Sequence, residues 1–166
     1  MAIRVAVLSD SHVGQRISAY PEEFLKELEN YDLIIHAGDH TDITSLHELR
    51  SRGEVRAVRG NMDEIEVSSR LPDKLVLELG GLRVGITHGS GPPAGLIDRV
   101  RGVFKKNPPD IIIFGHSHIP TDEVISGVRM LNPGAISGNL STGEGSWAIL
   151  TIDGAVVDWQ LVKIHF

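Results

Sequence analysis

Apolar residues recur along the chain in short runs, each closed by Gly, Pro, Asn or Asp: IRVAVL (3–8), DLIIH (32–36), EVRAV (54–58), LRVGIT (82–87) and DIIIF (110–114). A strand with one wet face alternates, so continuous apolar runs of this length read as strands buried on both faces. Between the first three lie stretches with helical spacing. PEEFLKELEN (21–30) puts Pro21 at a first-turn position with Glu22 and Glu23 beside it, where the helix dipole favours acid. DITSLHELRS (42–51) offers Asp42 as a cap and turns Glu48 outward. Strand, helix, strand, helix, strand is the pattern of a parallel sheet.

The second half changes character. KLVLEL (74–79) and LRVGIT (82–87) flank Gly80-Gly81, DEVISGVRML (122–131) turns around Gly127, and WAILTIDGAVVDWQLV (147–162) turns at Asp153-Gly154, so three hairpins are predicted. One more helix is predicted over Ala94 to Lys106, stopped by Asn107-Pro108-Pro109. The stretch Asn132 to Ser146 is Gly/Ser-rich and too long for a tight turn, and reads as a surface loop. Together these elements predict an α/β protein of two stacked sheets with helices on the outer faces. No repeat or long linker divides the 166 residues, so one domain, 1–166, is expected.

Composition adds exclusions. Aromatics are only 5% against 41% apolar residues overall, so the core must be aliphatic, as Val/Ile/Leu strands would make it. The net charge of -6 and the absence of a Lys/Arg run argue against a surface for long nucleic acid or acidic membrane. No cysteine is present, which removes disulfides, thiolate metal sites and cysteine nucleophiles together. Neither a charged n-region with an apolar h-region nor a run of about 20 apolar residues occurs, so a cytoplasmic protein is expected.

Five of the apolar runs are followed at once by metal-competent residues: SDSH, AGD, RGN, HG and GHSH. In open α/β sheets ligands bind beyond the carboxyl ends of the strands, so the five clusters should converge. Taken singly, a Gly-Asp or Gly-Asn pair is a turn and a lone histidine a hydrogen-bonded surface or core residue. Turn chemistry explains Gly38, Gly60 and Gly115, but not why Asp10, His12, Asp39, Asn61, His88, His116 and His118 are all oxygen or imidazole donors.

The ordered set Asp10-Ser11-His12, Gly38-Asp39, Gly60-Asn61, His88 and Gly115-His116-Ser117-His118 resembles the five-block signature of the calcineurin-like metallophosphoesterases. With the short chain and Asn132-Pro133-Gly134, it is similar to their small bacterial and archaeal phosphodiesterase branch. The resemblance implies the family's four-layer α/β/β/α sandwich, with two mixed sheets flanked by helices. It implies one metal on Asp10, His12, Asp39 and His118 and another on Asp39, Asn61, His88 and His116, with Asp39 bridging. Two divalent ions outweigh the carboxylates of Asp10 and Asp39, so an acidic chain can still attract phosphate. Mixed imidazole, carboxylate and amide ligation suits transition metals, Mn first, with Fe, Zn, Ni or Co as alternatives. Asn61 is a neutral donor, so the second metal should be held less tightly.

The chain departs from the family's pattern in places. Met62 stands where many relatives have a histidine thought to protonate the leaving group, and methionine has no proton to give. His40, beside Asp39, is the substitute acid, making Asp39, Asn61 and His40 the candidate catalytic residues. Asp63 reads as a solvated turn residue. Ser90 and Ala135 replace the histidine and serine common in that branch. His36 reads as a structural hydrogen bonder; His47 and His165 read as structural or solvated. The expected substrate is a small phosphodiester, and a homo-oligomer is left open. A protein-binding scaffold similar to the retromer subunit, or a metal-dependent nuclease, are the alternatives; the chain has no basic-aromatic stripe to hold a polymer.

Overall fold

A computed structural model describes residues 1–139 and 141–166; Leu140, inside the predicted loop 132–146, lies outside the described residues. The element order is β1 (Ile3–Leu8), α1 (Glu22–Glu27), β2 (Leu33–His36), α2 (Ile43–Arg50), β3 (Val55–Ala57), α3 (Ile65–Ser68), β4 (Lys74–Leu79), β5 (Leu82–Thr87), α4 (Leu96–Val103), β6 (Ile111–Ile113), β7 (Thr121–Ile125), β8 (Val128–Asn132), β9 (Glu144–Asp153) and β10 (Val156–His165).

Two five-stranded sheets form, ordered β10-β9-β1-β2-β3 and β4-β5-β6-β8-β7. In the first, β1, β2 and β3 run parallel and β9 and β10 are antiparallel additions. In the second, β5, β6 and β8 are parallel, with β4 and β7 antiparallel at the edges. Both sheets are therefore mixed, as the family resemblance implies.

Side chains alternate along a strand, and here both faces are buried. Val5, Val7, Leu33 and Ile35 of the first sheet meet Val84, Ile86, Ile111 and Ile113 of the second, forming the middle of the sandwich. Their neighbours Ala6, Leu8 and Ile34 face the other way, against Phe24, Leu25 and Leu28. Ile112 and Met130 likewise turn outward against Leu96, Val100 and Phe104. The result is the four-layer α/β/β/α arrangement. In both sheets the parallel strands carry their carboxyl ends toward the five site loops.

Several expectations need correction. Pro21 is the N-cap of α1 rather than a first-turn residue, and α1 tightens into a 3-10 turn over Leu28–Asn30. Helix α4 is shorter than predicted at both ends. Helix α3 has no signal in the sequence because it is a single turn. The β9–β10 loop is Gly154-Ala155, since Asp153 still pairs with Val156. The stretch 132–146 is not a surface loop at its start: Asn132, Ala135 and Ile136 are buried, and Ile136 packs in the cluster of Phe24 and Trp147. Asp42 does cap α2, its carboxylate accepting from Ser45 N at 3.0 Å.

Candidate metal centre

Three of the five site loops leave their strands in a conformation few side chains adopt. Asp10, His12, Asp39, His116 and His118 have φ between 43° and 71°, and they are five of the seven non-glycine residues with positive φ among the described residues. Such conformations cost on the order of 1 kcal/mol each and persist where surrounding structure enforces them. The enforcement is visible. Asp10 N donates to Gly38 O (2.9 Å), His12 N to Asp39 O (3.1 Å) and Gly115 N to His88 O (3.1 Å), lacing the loops to one another. Close approach does the rest: a Cβ on Gly60 would collide with the Asp39 carboxylate, and one on Gly115 with Ser9 Oγ.

The carboxylates are half committed. Asp10 Oδ2 accepts from Ser9 Oγ (2.6 Å) and from His116 N (3.0 Å), which turns Oδ1 into the cage. Asp39 Oδ1 accepts from Met62 N (2.8 Å), which leaves Oδ2 between two imidazoles, 3.7 Å from His12 Nε2 and 3.2 Å from His88 Nε2. His88 Nε2 and His118 Nε2 approach Asp10 Oδ1 at 3.7 and 3.2 Å. The far nitrogens are spent on the backbone, His88 Nδ1 on Ala37 O (2.7 Å) and His116 Nε2 on Gly91 O (2.8 Å). That pattern orients an imidazole toward a cation.

Asn61 Oδ1 lies 3.1 Å from His88 Nε2 and 3.2 Å from His116 Nδ1. With its Nε2–H on Gly91, His116 offers Nδ1 as an acceptor. Two acceptors facing one another at that distance call for a proton or cation between them.

Two atoms test whether a metal fits. Asp10 Oδ1 and His12 Nε2 are buried with no hydrogen-bond partner, although a buried polar atom left unpaired costs about 1–3 kcal/mol. Asp10, His12 and His118, and again Asp10, Asp39 and His88, each present atoms close enough to share an ion. The residues fit the group.

The electrostatics agree. Burial would push the His88 imidazole down, but its hydrogen bond to Asp39 and the charges of Asp10 and Asp39 carry it up to about 9. Burial would raise the Asp10 carboxyl, and His118 and His88 hold it below its usual value. Carboxylates with this field stabilise positive charge at the centre.

All seven expected ligands are thus brought together. His40 is not placed as a leaving-group acid. It is fully buried, its Nε2–H donates to Val58 O (3.1 Å), and its ring stacks on His36 at 3.6 Å between centroids. Burial keeps it neutral. His36 is structural as expected, held by Gly38 N and Ser11 Oγ.

Asp63 is not a solvated turn residue. Its two oxygens accept from Thr41 N (2.8 Å) and Gly60 N (2.7 Å), clamping the Asp39 loop to the Asn61 loop. Three further contacts reach the site loops. Asn132 Nδ2 donates to Gly115 O (3.1 Å), Ser137 Oγ donates to Asp10 O (2.7 Å), and Arg16 contacts His118. Ser137 and Arg16 stand in stretches without period or motif, so nothing flags them. A cleft of about 290 Å³ opens beside His88 and Asn61, lined by Arg59, Thr87, Ser90, Arg99 and Val100.

Residues 3–155 match the calcineurin-like phosphoesterase superfamily domain. The chain belongs to that family. A probable metallophosphoesterase of Methanothermobacter thermautotrophicus is 32% identical over 159 residues, covering 96% of this chain and 91% of the relative. The solution structure of Thermotoga maritima protein TM1076 is 40% identical, covers 98% of this chain and 99% of its own, and superposes with a TM-score of 0.78. Wild-type Vps29 of Entamoeba histolytica, solved with zinc, is 25% identical with a TM-score of 0.76, covering 97% and 99%. As a metallophosphoesterase, the chain carries the family's blocks on the loops that its fold gathers. None of its described helices is long and apolar enough to cross a membrane.

Proposed function

We propose that residues 1–166 act as one cytoplasmic metallophosphoesterase domain that hydrolyses small phosphodiesters with two divalent transition metals, Mn first among them. Asp10, His12, Asp39 and His118 would hold one ion, and Asp39, Asn61, His88 and His116 the other. The observation that carries this reading is the convergence of the orphaned Asp10 Oδ1 and His12 Nε2 on Asp39 Oδ2 and His88 Nε2. Bound ions supply Lewis acidity toward the phosphate oxygens and a nucleophilic water at neutral pH.

The chain's own residues orient the ligands and bound the substrate. Asp39 has one oxygen free, and its place between His12 and His88 suits it to serve both ions. The backbone bonds of His88 and His116 fix which nitrogen each presents. The cleft beside Asn61 has room for the ester's organic group, with hydroxyls and an apolar wall. At the rim, Met62 is 48% exposed and has no proton to donate, and His40 is sealed away. Departure of a poor leaving group is then the step least helped, and a general acid is commonly worth about 10²- to 10⁴-fold. Activated aryl diesters should be cut readily and alkyl esters slowly. Monoester dianions, with one more charge to hold across both ions in a non-productive pose, should fare worse than diesters.

Elemental analysis of the purified protein with a phosphoester panel, each with and without added Mn, tests this. Two metal equivalents and Mn-dependent diester turnover that falls steeply as leaving-group pKa rises are expected. No metal and no turnover under any condition would move the reading to a protein-binding scaffold. A flat leaving-group dependence would mean that an acid has gone unassigned.

A further inference from the structure

Arg16 follows the His12 block in a tight turn, its backbone N donating to His12 O at 2.9 Å and Gly14 N to Ile17 O at 2.8 Å. The turn anchors its Cα to the ligand loop. Its half-buried guanidinium places Nη1 2.9 Å from His118 Nδ1. No carboxylate lies within ion-pair distance of it among the described residues, although the chain has 22 acidic residues against 16 basic ones. An uncompensated arginine therefore stands against a ligand histidine whose side chain is 24% exposed at the mouth of the cage.

The contact sets up a conflict. A guanidinium only donates, and a neutral imidazole has one nitrogen that accepts. While Arg16 donates to Nδ1, the accepting nitrogen is Nδ1. His118 Nε2, the atom facing Asp10 Oδ1, must be the acceptor if His118 is to hold a cation. Nδ1 then carries the hydrogen, and Arg16 and His118 face each other as two donors. Arg16 must turn away, still tethered to the ligand loop, with its charge unpaired beside a positive centre. A phosphate oxygen at the mouth offers it the acceptor that His118 no longer can.

Resting on the metallophosphoesterase reading, we propose that Arg16 is the phosphate-binding arginine of this enzyme. It is released from His118 when a metal is taken up, and it donates to an anionic oxygen of the phosphoryl group. A planar two-pronged donor suits phosphate oxygens, and charge-assisted hydrogen bonds are the strong ones. Metal and phosphate then bind cooperatively: Arg16 opposes the metal alone and favours the metal with its anion.

The test is calorimetric titration of the native, R16A and R16K proteins, first with Mn²⁺ alone and then, once loaded, with inorganic phosphate. In R16A, phosphate affinity is expected to fall about tenfold or more, with R16K recovering part of it. Mn²⁺ affinity should stay the same or rise. The opposite sign identifies a merely structural residue: if Mn²⁺ affinity falls in R16A as His118 loses its support, the proposal is overturned. Unchanged phosphate affinity on Mn-loaded R16A overturns it too, leaving the metal centre intact. A native protein that takes up no Mn²⁺ contradicts the metal-centre reading itself, and this proposal with it. Circular dichroism melts of both variants verify that each is folded before titration, and R16Q replaces any variant that is not.

Discussion

On one side of the cage Asp10, His12 and Asp39 are 0%, 5% and 2% exposed, both carboxylates turned inward by bonds from the backbone, and His118 alone reaches the mouth. On the other side buried His88 is joined by exposed Asn61 and partly exposed His116, and the loop that carries Asn61 depends on Asp63 for its shape. The difference is energetic. A cation entering the buried side relieves desolvated atoms that have no partner, while one entering the Asn61 side displaces solvent from a neutral amide. On the proposed assignment, a tighter site and a looser one that share Asp39 would be the outcome.

Removing the joint breaks the comparison most completely. Asp39→Asn is expected to empty both sites and to lower kcat/KM by well over the roughly 10- to 100-fold that loss of an outer-shell partner costs, as elemental analysis and steady-state kinetics would read. Two retained metals with near-normal turnover would show that Asp39 does not bridge. Asn61→Ala sharpens the comparison instead. It should leave about one metal per chain, with a smaller loss of activity that excess Mn restores in part. Asp63→Asn comes next: one backbone N–H loses its acceptor, so the exposed site should weaken by about tenfold or more with the buried site unmoved, as metal titration of that variant would report.

Stripping the metals should lower the melting temperature reversibly, because an ion at a hundredfold excess over its dissociation constant contributes about 2.7 kcal/mol. Overlapping melts of stripped and reloaded protein, with loading confirmed, would count against a shared cage. The smallest effect is expected of Met62→His, which puts a proton donor at the rim without touching either site. It should speed alkyl diesters more than activated aryl ones and leave metal content alone.

How much of this is legible in the sequence differs between the two sides. The strands IRVAVL and DIIIF declare themselves because both of their faces are buried, and the ligands because five strand ends carry donors no turn requires. The supports do not. Asp63 looks like any turn aspartate until Thr41 N and Gly60 N are seen to share it. His40 looks catalytic by adjacency to Asp39, yet at positive φ the chain turns sharply there, and the next side chain goes inward onto His36. The stretch from Asn132 reads as loop by composition, but Ile136 is apolar and finds the pocket beside Trp147, which carries Ser137 to Asp10. The Ser137–Asp10 contact joins residues 127 positions apart, and no local period encodes it.

Calorimetric titration of metal-stripped native protein with Mn²⁺ bears most directly on the two-sided centre. Two resolved steps are expected, the tighter one preserved in Asn61→Ala and the weaker one shifted to higher Mn²⁺. A single step for two equal sites, or loss of the tighter step in Asn61→Ala, would contradict it.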